Sequence, residues 1–158
     1  RTEGPTVLVF TRQKLVFVDR AAAGVGASSG VAKGGYVLQE ADGGKPQIVL
    51  MSSGSEVGTA LSAQAKLKEG GIKARVVSMP SHELFAEQDK KYRESVLPAR
   101  VPRVAIEAAH PMSWHRWVGD NGAVIGIERF GASAPFEKIY EEYGITADAV
   151  MRAAKALL

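Results

Sequence analysis

The stretch "QIVLMSSGSEVGTALSAQAKLKEGG", residues 47–71, decides how this chain folds. Its opening, "QIVLMSS", is apolar without alternation, the pattern of a strand covered on both faces. From about Ser55 to Glu69, Val57, Ala60, Leu61 and Ala65 recur at helical spacing, and Gly70-Gly71 stops the run. Ser53 and Glu56 have the S-x-x-E spacing of a capping box, which predicts that they satisfy the first turn of that helix. A buried strand feeding a helix is half of a β-α-β unit, so the next question is whether the rhythm repeats.

It does repeat. "ARVVSM" (74–79) reads as a strand, and Pro80-Ser81 opens a short helical stretch around Glu83 to Phe85. A second helix near Asp89 to Val96 ends at Pro98. "RVAIEA" (103–108) and "AVIGIE" (123–128) are two more buried-type strands, with "SWHRWVG" (113–119) as a short helix between them. Two helices close the chain: "PFEKIYEEYG" (135–144), with Pro135 as its first residue, and "TADAVMRAAKALL" (146–158), with Thr146 as N-cap. Upstream, "GYVLQE" (35–40) is separated from the first buried strand only by the turn "ADGGKP", which predicts an antiparallel edge. The expected fold is α/β: a doubly wound, mostly parallel sheet of about five strands with one antiparallel edge strand and helices on both faces.

That domain is expected to span residues 31–158. "TVLVF" (6–10) and "LVFV" (15–18) are short β-branched and aromatic runs outside its rhythm, so residues 1–20 read as the tail of a preceding domain. The small, aperiodic "DRAAAGVGASSGVAKGG" that follows places a flexible linker at 21–30. The sequence opens on Arg1 rather than an initiator methionine, which fits a piece of something longer.

Bulk properties narrow the function classes. With 158 residues, the chain can bury roughly two-thirds of its unfolded surface. Its 20 Lys and Arg are scattered against 17 Asp and Glu, so no basic patch argues for nucleic acid. The absence of cysteine removes disulfides and thiolate chemistry and fits a cytoplasmic setting. No apolar run reaches the ~20 residues of a membrane span, and the N-terminus lacks the layout of a signal peptide.

Candidate sites come from the strand ends, where open α/β sheets bind ligands. Ser53, Ser81, His82, Glu107 and Arg129 form a polar rim there, which as an independent module could hold a regulatory anion or nucleotide. The bland alternative is that strand ends are polar because they meet water. Gly24, Gly26 and Gly30 mimic dinucleotide and nucleophile motifs, but no strand-to-helix turn surrounds them, so they read as linker glycines. His82, His110 and His115 match no zinc spacing. "WHRW" (114–117) reads as a buried or interface helix, and no pair of carboxylates at helical spacing stands out as an acid/base pair.

Several longer stretches resemble one family. "KARVVSMPSHELF" (73–85), "YRESVLP" (92–98), "VAIEA" (104–108) and "GIERFGASAP" (126–135), together with "GGYVL" (34–38) and "GSEV" (54–57), are similar to the C-terminal part of bacterial transketolases. "GPTVLVFTRQ" (4–13) resembles the last strand of the preceding, pyrimidine-binding domain of that family. The resemblance implies transfer of a two-carbon ketol unit from a ketose phosphate to an aldose phosphate. It implies thiamine diphosphate with a divalent cation (Mg or Ca) and a homodimer with sites between subunits. The family's cofactor ligands lie upstream, so no catalytic, cofactor-binding or metal-binding residue is expected within residues 1–158, and the isolated piece is expected to be inactive.

One substrate contact is implied. Thr11-Arg12-Gln13 matches the family's S/T-R-Q motif, whose arginine reaches the sugar phosphate, and a guanidinium fork suits that task. Lys14 departs from the family's usual asparagine, and "AAAGVGASSG" is richer in glycine than the usual connection. The "RFGASAP" turn carries no ligand in the family. Gly131 and Ala132 are then expected to be small for close backbone packing, and Ser133 to cap the following helix. Related thiamine enzymes, the β subunit of 2-oxoacid dehydrogenases and deoxyxylulose phosphate synthase, share the domain type but fit "YRESVLP" and "RFGASAP" less well.

Overall fold

A computed structural model describes residues 4–22 and 24–158. Five strands form one sheet: β1 (Tyr36–Gln39), β2 (Ile48–Ser52), β3 (Ala74–Ser78), β4 (Arg103–Ile106) and β5 (Ala123–Ile125). Their spatial order is β1-β3-β2-β4-β5, with β1 antiparallel on the edge and the other pairs parallel. The helices are α1 (Val57–Glu69), α2 (His82–Ala86), α3 (Lys90–Val96), α4 (His115–Val118), α5 (Phe136–Glu142) and α6 (Ala147–Ala156). This is the expected doubly wound sheet with one antiparallel edge.

The unbroken apolar run of β2 has a physical reason: β2 is an inner strand paired on both edges, and its two faces each lie in a separate hydrophobic core. Leu50 sits opposite Val76 on one side and Val104 on the other. Period-2 alternation then divides the core. Ile48, Leu50, Val76, Val104 and Ile106 pack under α1 and α6, joined by Leu67, Val150 and Ala154. Val49, Met51, Val77 and Ala105 face the other way, against Phe85, Val96, Trp114 and Trp117. The tryptophans of "WHRW" are therefore core residues. Burying each large apolar side chain contributes about 1.5–3 kcal/mol.

Local caps set the helix starts. The Oγ of Ser81 accepts the N–H of Leu84 (3.2 Å), Asp89 Oδ1 that of Tyr92 (2.8 Å), and Thr146 Oγ1 that of Ala149 (3.2 Å). After α1, Gly71 takes φ +76°, a conformation that strains any residue with a Cβ. One buried charge is paired within the sheet. Arg75 of β3 grips Glu40 through Nε–Oε1 (2.9 Å) and Nη2–Oε2 (2.7 Å). Its Nη1 donates to the carbonyls of Ser95 and Val96 at the end of α3. Burial raises the Glu40 pKa, but the Arg75 bonds and the Ala41 N–H outweigh it and hold the carboxyl below its ordinary value.

The N-terminal stretch departs from expectation in two ways. The runs 6–10 and 15–18 form no strand, and Val9 is 90% and Phe17 85% exposed. β-propensity makes a strand only where an edge accepts it. The flexible linker at 21–30 is, by contrast, pinned to the sheet edge. Val25 bridges Gln39, the Gly26 N–H donates to Leu38 O (2.7 Å), and Ser28–Lys33 forms a 3₁₀ helix. A Cβ at Gly26 would run into the Val37 carbonyl, and one at Gly30 into the Tyr36 ring. These glycines are there for close approach rather than flexibility. Residues 1–3 of the tail and residue 23 of the linker lie outside the described residues. Among the described residues no helix is long and apolar enough to cross a membrane.

Candidate functional site

The carboxyl ends of β2 and β4 lie side by side, and the chain places acids just beyond both. Ser53 follows β2 and Glu56 closes the 3₁₀ turn Gly54–Glu56 that leads into α1. Neither side chain caps α1. The Ser53 hydroxyl instead donates to Glu107 Oε2 at 2.7 Å. Glu56 is 1% exposed, and its Oε1 accepts from the Tyr140 hydroxyl of α5 at 2.7 Å. Its Oε2 accepts the Ala108 N–H at 3.3 Å. The capping-box reading is thereby corrected. A buried carboxyl needs donors, and the fold supplies them from β4 and α5 rather than from the helix's own first turn.

Glu107 completes the arrangement. Burial pushes its pKa up to about 7; the Ser53 hydrogen bond opposes the rise, and the charge of Glu56 and a hydrogen bond with it add to it. Tyr140 is raised to about 12, first by burial and then by its bond to Glu56. A pair of interacting carboxyls therefore exists, although none stood out in the sequence. Positions 56 and 107 become neighbours only because β4 lies beside β2, a fact of topology that spacing does not carry.

The remaining rim residues do not converge with this pair. Ser81 caps α2. His82 packs edge-on against Trp114, ring centroids 4.5 Å apart, and burial lowers its pKa, with Glu83 opposing and Arg116 reinforcing. Arg129 is exposed, its guanidinium over the Tyr143 ring at 4.6 Å. The rim is thus three separate places and not one anion cradle. Among the described residues no group of three or more His, Asp or Glu could hold a metal ion.

The turn at residues 129–135 also differs from its reading. A Cβ at Gly131 would meet nothing within 4 Å, so close packing within this chain does not explain the glycine. Pro135, not Ser133, occupies the N-cap of α5, and no side chain caps that helix. What holds the turn is the Tyr143 hydroxyl donating to Phe130 O at 2.8 Å.

Arg12 stands on the N-terminal stretch, exposed, where the Thr11 hydroxyl bonds the Gln13 side-chain oxygen. From Gln13 onward that stretch passes the starts of α1 and α6 and the flank of α5. It encloses a cavity of about 490 Å³ lined by Gln13, Lys14, Val16, Gly58, Tyr140 and Thr146 among others. The lining starts at Gln13, the residue after Arg12, and Arg12 itself does not line it.

Comparison with known proteins follows the same outline. Residues 34–146 match the family model described as "Transketolase-like TK C-terminal domain". The chain is 49% identical over 158 residues to transketolase from Geobacillus stearothermophilus, covering 99% of this chain and 23% of that protein. Among solved structures, transketolase from Leishmania mexicana superposes with a TM-score of 0.77 and 39% identity over 85% of this chain and 19% of that one. Transketolase of Pichia stipitis in complex with sedoheptulose 7-phosphate superposes at 0.74, with 34% identity and the same coverage. The chain spans about a quarter of the length of the curated relatives it matches.

Proposed function

Because the chain belongs to the transketolase family, which it matches along the C-terminal domain, we propose that it is the C-terminal portion of a ketol-transferring enzyme. The reaction moves a two-carbon ketol unit from a ketose phosphate to an aldose phosphate. The observation that carries this reading is end-to-end similarity to a transketolase at 49% identity over 99% of the chain. The complete enzyme works in the cytoplasm as a homodimer. Residues 1–20 belong to its preceding catalytic domain, 21–30 connect, and 31–158 form the C-terminal domain. The solved relative whose partner is a seven-carbon sugar phosphate supports the substrate class.

Thiamine diphosphate with a divalent cation supplies the carbanion chemistry in such an enzyme. The residues of this chain do not fit that group. No metal-ligand cluster is present among the described residues, and the buried strand-end carboxyl Glu56 already accepts from Tyr140 and Ala108 and offers nothing to grip a diphosphate. As the resemblance implies, the cofactor belongs to the remainder of the enzyme, and this portion supplies structure and one substrate contact. Arg12 is that contact. Its guanidinium is exposed, it precedes the cavity-lining stretch, and it can hold a phosphate through two parallel hydrogen bonds.

Arg12→Ala in the complete enzyme is expected to raise KM for phosphorylated sugars, with a smaller effect on unphosphorylated ones. The scale of the loss is about 1.5–3 kcal/mol for one hydrogen bond to a charged group. Equal losses on both substrate types would remove the phosphate role from Arg12. Calorimetric titration of thiamine diphosphate and Mg²⁺ into the 158-residue chain is expected to give only heats of dilution. Saturable binding would overturn the division of labour.

A further inference from the structure

We infer that the recess between α3 and α4 is a binding site for a small soluble ligand carrying a phosphate or diphosphate group. Lys90, Arg93, Glu94, Arg103 and Arg116 line a cavity of about 350 Å³ there, beside the Trp117 ring. The four cations are scattered along the sequence, and the fold gathers them. Lys90 and Arg93 come from α3, Arg103 from the start of β4 and Arg116 from α4. Of the chain's 20 Lys and Arg and 17 Asp and Glu, four cations and one acid stand here. The remainder is balanced, so the whole formal excess of +3 is concentrated at one recess.

Arg103 is the fixed centre of the cluster. Its Nη1 donates to Trp117 O at 2.7 Å, and its Nη2 to Leu97 O at 3.2 Å and Pro98 O at 3.3 Å. These carbonyls hold the guanidinium between the ends of α3 and α4, but they bring no opposite charge. Burial makes that charge costly and lowers the Arg103 pKa. Arg75 shows what the fold does when such a residue is purely structural. It also donates to carbonyls at the end of α3, and it sets its charge against the Glu40 carboxylate through two further hydrogen bonds. Arg103 lines the cavity where Arg75 meets a carboxylate.

The other cations are oriented without being committed. Arg93 Nη1 reaches Ala86 O at 3.4 Å, and the Arg116 guanidinium lies over the Trp117 ring at 4.9 Å. Lys90 faces Glu94 at 3.7 Å, with the side chains 81% and 52% exposed, a loose pair that a ligand can open. A guanidinium fork matches two oxygens of a phosphate, and several cations around one recess favour a group with more than one negative charge. The volume lies near the lower end of small-molecule sites, roughly 300–1,000 Å³. The cations ring a recess rather than follow a stripe, which selects a small ligand over a nucleic-acid strand. A bound anion would tie α3 to α4, and this reading does not depend on ketol transfer.

The test is titration of sodium diphosphate into the 158-residue chain at about 0.15 M salt, where exposed charges are screened beyond roughly 8 Å. Calorimetry gives the affinity, and intrinsic fluorescence reports the place, because both tryptophans of the chain, Trp114 and Trp117, belong to the core beside the recess. Saturable one-to-one binding with a fluorescence change is expected. Arg103→Gln should weaken it most. Arg116 is exposed, so Arg116→Gln keeps the fold and should weaken binding on the order of ten-fold; it decides the matter if Arg103→Gln does not fold. Arg152→Gln removes the same charge from α6, on the other face of the sheet, and should leave the affinity nearly unchanged. No saturable binding would overturn the site, and so would equal losses from Arg116→Gln and Arg152→Gln. Tighter binding of a phosphatidylserine vesicle or a single-stranded oligonucleotide, displaced by diphosphate, would overturn the small-ligand reading.

Discussion

Val9 and Val49 are the same side chain in opposite circumstances, and so are Phe17 and Phe85. Val49 and Phe85 are fully buried, while Val9 and Phe17 are almost bare. Both regions are rich in Val, Leu and Phe, and both favour extended backbone. The difference is that β2 has hydrogen-bonding neighbours on two sides and helices above and below, whereas residues 5–18 have no strand to pair with. Composition gives a segment the capacity to be a strand; a neighbouring edge makes it one. Between the two regions lies a pinned segment, residues 24–33, which uses glycine to lie flat on β1.

Substitutions graded along the chain would break or sharpen this contrast. Leu50→Ala removes the centre of the α1 face of the core and should cost about 2–5 kcal/mol, read as a lowered denaturant midpoint with unchanged slope. A loss below 1 kcal/mol would mean that β2 is not the centre of the core. Gly30→Ala forces a methyl group against Tyr36 and should cost about 1–3 kcal/mol. If it proved neutral or stabilising, the segment would be the loose linker its sequence suggests. Val9→Ser should change stability by less than about 0.5 kcal/mol in this chain, because nothing there is buried. A larger loss would place the N-terminal run against the domain.

Those expectations rest on features of unequal legibility. The sheet could be read because burial on both faces leaves a signature in each strand separately. The cap at Thr146 could be read because its partner lies three residues away, as it does for the caps at Ser81 and Asp89. Ser53 and Glu56 also have that spacing, yet both bond to β4 and α5 instead. A local pattern shows which bond is available, and the tertiary neighbours decide which bond forms. The pinning glycines and the Glu56–Glu107 pair were hidden for the same reason, since Gly26 meets Val37 and Glu56 meets Glu107 only after the sheet has been ordered. Gly131 was misread in the opposite direction: a small residue suggested a neighbour, and the chain provides none.

The strand order has one more consequence. After β2 the chain turns aside to β3, and after β4 it turns the other way to β5, so the two paths diverge and leave a crevice between the ends of β2 and β4. Doubly wound proteins commonly place a ligand at such a topological switch point. Here Ser53, Glu56, Glu107 and Tyr140 fill it with hydrogen bonds to one another. A ligand seeking entry there would first have to displace these intramolecular hydrogen bonds with equivalent donors and acceptors.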